Sequence, residues 1–65
     1  MKAKYEIDTD GQVVFTDGRH GAILLDDEQW YPFCYFDSGN LDIWDTEGGH
    51  FKASSAYKLA KLKFT

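Results

Sequence analysis

Cysteine and proline each occur once, at Cys34 and Pro32, and the acidic stretch of the chain holds a single basic residue, Arg19. One thiol cannot close an intramolecular disulfide, so the fold must stand without covalent staples. No apolar run approaches the roughly 20 residues of a membrane-spanning helix, and no apolar leader opens the chain. The expectation is a soluble, cytoplasmic protein.

Recognisable ligand and nucleophile patterns are lacking too. His20, Cys34 and His50 are too widely spaced for the paired ligands of structural zinc. Asp8-Thr9-Asp10-Gly11 opens like a calcium loop. However, Val13 and Arg19 stand where that loop needs glycine and glutamate. Asp17-Gly18-Arg19-His20-Gly21 could present donors to an anion, but such nests lead into a helix and here a strand follows. Cys34 lies among aromatics, where a thiol behaves as a small apolar group. No cofactor, metal or catalytic residue is expected, and the chain reads as a non-enzyme.

Its 65 residues, 43% hydrophobic and 17% aromatic, suffice for one small core but not for a deep catalytic cavity as well. A homodimer that buries leftover aromatic surface is expected of such a chain. All 11 acids lie between Glu6 and Glu47, and the tail after them carries only Lys52, Lys58, Lys61 and Lys63. That balance disfavours direct nucleic-acid binding, which needs a basic surface.

The aromatic run Trp30-Tyr31-Pro32-Phe33-Cys34-Tyr35-Phe36 organises the rest. In a strand, Trp30, Pro32, Cys34 and Phe36 share one face, and Tyr31, Phe33 and Tyr35 the other. Pro32 lacks an N–H, which calls for a bulge or an edge-facing position. Before this run, residues 3–8 alternate, Thr9-Asp10-Gly11 turns, and residues 12–16 return. A loop with Gly11 left-handed pairs Ile7 with Val13 and Tyr5 with Phe15, which keeps the apolar residues together. Asp17–Gly21 reads as a loop and residues 22–26 as a third strand. The fourth strand covers 29–36. Asp37–Asn40 reads as a turn into a fifth strand at 41–45, pairing Phe36 with Leu41, Cys34 with Ile43 and Phe33 with Trp44. His50–Ala53 reads as a short extended piece. Residues 55–62 form helix capped by Ser54 or Ser55, with lysines at its C-terminal end.

The expected fold is mainly β: a single domain over 1–65, built as a small five-stranded antiparallel curled sheet or SH3-like barrel with a short C-terminal helix. In this reading Tyr31, Phe33, Tyr35 and Trp44 present an aromatic face with Asp42 among them. Asp26, Asp27, Glu28 and Asp45 lie at its ends. The bland alternative lays the helix over that face through Tyr57, Leu59 and Leu62. Exposed, the face suits a small acidic protein-binding module. It would meet a protein partner with a basic surface, as an inhibitor or accessory regulator of nucleic-acid-handling machinery in the style of a phage or bacterial accessory protein. The other readings are a small-ligand or nucleotide binder using the rings, and a structural assembly subunit docking head to tail.

Overall fold

The computed structural model describes residues 2–36, 40–46 and 48–64. Five strands, β1 (Lys4–Ile7), β2 (Val13–Thr16), β3 (His20–Leu24), β4 (Trp30–Tyr35) and β5 (Leu41–Ile43), precede one helix, α1 (Ala53–Lys63). The strands pair antiparallel in the order β1-β2-β3-β4-β5, a meander whose sheet stays open. No described helix is long and apolar enough to cross a membrane.

The first hairpin takes the expected register, with Tyr5 opposite Phe15 and Ile7 opposite Val13. Gly11 adopts φ 84°, and the Asp8 carboxylate accepts the N–H groups of Asp10 and Gln12, both at 2.9 Å. This Asx-type turn satisfies the donors that a tight reversal leaves unpaired.

The next connection is shorter than expected, because His20 and Gly21 already belong to β3. Asp17 Oδ1 accepts from the N–H groups of Arg19 and His20 at 3.0 and 2.9 Å, and Gly18 turns at φ 103°. Thr16 Oγ1 donates to the His20 carbonyl at 2.7 Å. Gly21 is needed in the strand for a packing reason. A Cβ there would stand 2.8 Å from the Phe33 ring and 2.7 Å from the Phe15 carbonyl oxygen.

Pro32 pairs with Ala22 inside an unbroken β3·β4 ladder, so no bulge forms there. Its carbonyl accepts the Trp44 N–H at 2.8 Å, which turns its donor-less nitrogen toward β5. The β5 strand ends at Ile43, so the missing donor falls where that ladder is already ending.

The β4·β5 register corrects the expected one. Tyr35 pairs with Leu41, Cys34 with Asp42 and Phe33 with Ile43, and the Phe36 N–H donates to the Asn40 carbonyl at 2.8 Å. The turn residues 37–39 lie outside the described residues. The one-residue shift has a physical reason. It places Leu41 and Ile43 beside Phe33 and Tyr35 and turns Asp42 to the other face, where it is exposed.

Both faces of the sheet are covered at its centre. Val14, Ile23, Tyr31 and Phe33 fill one core, flanked by Leu25, Tyr35, Leu41 and Ile43. On the other face α1 lies across β3 and β4. It starts earlier than expected, after Lys52, with no side-chain cap. The expected extended piece survives as an isolated bridge between His50 and Trp30. Ala53, Ala56 and Ala60 bring the helix close to the sheet, and Tyr57 packs edge-on against Phe15 at 5.6 Å. The alternative with Leu59 and Leu62 on the Tyr31 face is thereby corrected: α1 takes the opposite face and Leu62 stays 75% exposed. The alanines make that choice, because small side chains permit close approach to a sheet face already filled by Trp30 and Phe15.

Two polar contacts hold α1 in place. Tyr57 donates its O–H to Asp17 Oδ2 at 2.7 Å, and His20 Nε2 donates to the Phe64 carbonyl at 3.0 Å. Partial burial alone would raise the Asp17 pKa. The backbone N–H groups of Arg19 and His20 and the Tyr57 hydroxyl outweigh it and hold the carboxyl at about 2. A depressed carboxylate stabilises the fold above its unfolded pKa, and that contribution vanishes as pH falls through the folded one. Asp17→Asn is therefore expected to cost about 1 kcal/mol near neutral pH, after allowance for solvent screening. Urea denaturation of both proteins should show that difference shrinking as pH drops from about 4 toward 2.

Candidate functional site

The aromatic residues expected on one open face divide between two environments. Tyr31 and Phe33 are buried, and Tyr35 is half-buried with its ring edge-on to Phe33 at 5.1 Å. Trp44 sits on the opposite face, because its partner in the ladder is Pro32 rather than Phe33. There Lys63 Nζ stands over the indole at 4.4 Å, so the helix C-terminus half-covers it. Asp42 is exposed and paired with Cys34, also away from Tyr31 and Phe33. The slipped register thus separates Asp42 and Trp44 from the three rings.

Asp26, Asp27, Glu28 and Asp45 do come together, without Asp42. In a meander, the β1–β2 turn, the β3–β4 turn and the exit of β5 all lie at one end of the sheet. Those positions carry Asp8, Asp10, Asp26, Asp27, Glu28 and Asp45, with no lysine or arginine among them. Asp26, Asp27, Glu28 and Asp45 are exposed. Tyr31 reaches this rim from the core and donates its hydroxyl to the Asp27 carboxylate. That bond, with burial and the charges of Asp27 and Asp45, pushes the phenol pKa up. Asp27 also accepts the Gln29 N–H at 3.0 Å and so ties the turn. Glu28 is the one described non-glycine residue at positive φ, 64°.

Phe51 is the residue missed by sequence reasoning. It follows His50, which pairs with Trp30 at this same end, and it is 92% exposed. The available signal was its setting: one aromatic directly flanked by His50 and Lys52, just after two glycines.

A second acidic feature lies at the open seam. A cleft of about 510 Å³ is lined by Glu6, Ile7, Asp8 and Asp10 on one side and Tyr35 and Leu41 on the other. Burial, then the charges of Asp8 and Glu6, raise the Tyr35 pKa. Its walls come from distant parts of the chain and meet only because the sheet curls.

A Cys–His catalytic pair would have a partial geometric basis, since His20 stands directly opposite Cys34 across β3·β4. Cys34 is buried, however, and burial with the nearby Asp42 charge raises its thiol pKa against a smaller opposing effect of Arg19. Nucleophilic cysteines need the reverse shift. Among the described residues, no group of three or more His, Cys, Asp or Glu side chains could hold a metal ion.

Comparison with protein-family models, curated proteins and solved structures finds no match for the chain. The two aromatic environments predict opposite responses to truncation. Phe33→Ala should destabilise the fold by about 3–5 kcal/mol, through lost burial and the cavity left beside Gly21. Phe51→Ala should change stability by no more than about 0.5 kcal/mol. Chemical denaturation of the two variants checks this.

Proposed function

We propose that the chain is a non-enzymatic protein-binding module that sets its acidic end against a basic site on a larger protein. As an inhibitor or accessory regulator, of the phage or bacterial kind, it would occupy the groove with which a nucleic-acid-handling partner holds phosphate. The observation that carries this reading is the gathering of Asp26, Asp27, Glu28 and Asp45 at one end of the sheet, beside the exposed Phe51. Carboxylates that outnumber the adjacent Lys52 steer a basic partner into encounter, and one exposed ring supplies an anchor that is buried on contact.

Glu28 adds a second support. A left-handed conformation costs a non-glycine residue about 1 kcal/mol, and glycine would fill the position without strain. A charged side chain held there at a cost points to a use for the charge. The interior placement of Tyr31 and Phe33 takes both rings out of reach of a planar ligand. A protein surface is therefore favoured over a small molecule.

Affinity capture from the source cell, followed by titration of the recovered partner, tests the proposal. Raising salt from about 0.05 to about 0.2 M should weaken binding by roughly tenfold or more. The combined variant Asp26→Asn, Glu28→Gln, Asp45→Asn should lose affinity to a similar extent and flatten the salt response. Binding indifferent to both changes would refute it.

A further inference from the structure

The edge strand β1 leaves all four of its residues exposed, including Tyr5 at 65% and Ile7 at 67%. Edge strands of this kind invite another strand unless something blunts them. Lysine is a usual deterrent, and here Lys2 and Lys4 are followed by Glu6 and Asp8. The two lysines and the two acids sit at mirrored distances on either side of Tyr5. We infer that β1 is a self-association edge, on which a second copy pairs its own β1 antiparallel about a two-fold axis at Tyr5.

The backbone permits this register. The Asp8 N–H donates to the Gln12 carbonyl at 2.9 Å, so the even-numbered residues of β1 bond inward to β2. By alternation, the N–H and C=O groups of Ala3, Tyr5 and Ile7 face outward. Pairing Tyr5 with Tyr5 of the second copy, and Ala3 with Ile7, joins outward groups to outward groups. The intervening pairs are then the narrow, non-hydrogen-bonded ones, where side chains approach most closely. Those pairs are Lys4 with Glu6 and Lys2 with Asp8, each occurring twice by symmetry.

No neighbouring register does as well. Sliding one copy by two residues sets either Lys4 against Lys4 or Glu6 against Glu6, and like charges directly opposite are unfavourable. A slip by one residue breaks the outward hydrogen-bond match. On the other face the Tyr5 ring is already held in place, 4.7 Å from Phe15 and 6.0 Å from Trp30, while most of its surface remains open. A pre-positioned ring loses little freedom on association.

The pairing also accounts for the seam cleft. Lys2 of the second copy arrives opposite Asp8, at the mouth of the cleft lined by Glu6, Asp8 and Asp10. The acidic pocket in each copy thus receives the cationic start of the other. Asp26, Asp27, Glu28 and Asp45 take no part, so the dimer does not depend on the acidic end having a partner.

Charge exchange tests it by sedimentation equilibrium across protein concentration. The wild type should show a monomer–dimer equilibrium of the 7.5 kDa chain. Lys4→Glu and Glu6→Lys should each weaken the dimer by roughly tenfold or more, because each replaces attraction with repulsion at both symmetric positions. The double exchange Lys4→Glu/Glu6→Lys restores opposite-charge pairing with inverted sign and should regain wild-type affinity within about threefold. Mixing the two single variants should likewise give a heterodimer. Both residues are exposed, and circular dichroism verifies that each variant is folded. A monomer at every concentration would overturn the inference, as would a dimer indifferent to the single exchanges or a double exchange that stays monomeric. Open chains, formed by the acidic end docking on the lysine-bearing helix end, would overturn it too.

Discussion

The pairing of β4 with its two neighbours decides which of two ring-bearing faces becomes the interior. Side chains alternate along a strand, so a slip of one residue would exchange the faces wholesale. Three features fix the alignment. Gly21 leaves the space that the Phe33 ring occupies. Leu41 and Ile43 meet Tyr35 and Phe33 across β5. Asp42 points away from that core, where burial would cost several kcal/mol for an unpaired carboxylate.

The helix accepts this arrangement and completes it. With Tyr31, Phe33 and Tyr35 turned to the other core, the face of Trp30, Pro32 and Cys34 is closed by the alanines of α1, with Tyr57 reaching Asp17. Close packing of small residues covers β3 and β4 but does not extend over β1. Tyr5 and Ile7 remain open for that reason, and the seam between β1 and β5 stays unfilled. The exposed edge at β1 is thus a consequence of where a short, slender helix stops.

Much of the architecture was legible in the sequence because local chemistry dictated it. The first hairpin followed from Gly11 and the alternation around it, and the helix from a run without glycine or proline. The β4–β5 alignment was not legible, since Asp37–Asn40 admits more than one turn length and only tertiary burial of Leu41 and Ile43 chooses between them. The same ambiguity misplaced the candidate site. Tyr31 and Phe33 look like surface anchors in a strand with two aromatic faces, and the sequence does not say which face the helix will seek. The carboxylates of Asp26, Asp27, Glu28 and Asp45 were easier to place, because turn residues and strand exits remain at the rim in any register.

The two surfaces proposed to act lie at rims and edges: an acidic end built by turns, and a charge-patterned edge strand beside a cleft. Behind both, the β4 alignment sends Tyr31 and Phe33 inward and leaves Asp42 on the other face. Nuclear Overhauser contacts between α-protons of facing residues read that alignment directly, because non-hydrogen-bonded antiparallel pairs bring their α-carbons to about 4.5 Å. Strong Tyr35–Leu41 and Phe33–Ile43 contacts are the predicted result. Contacts of Phe36 with Leu41 and Cys34 with Ile43 in their place would put Asp42 and Trp44 back among the rings and contradict that alignment.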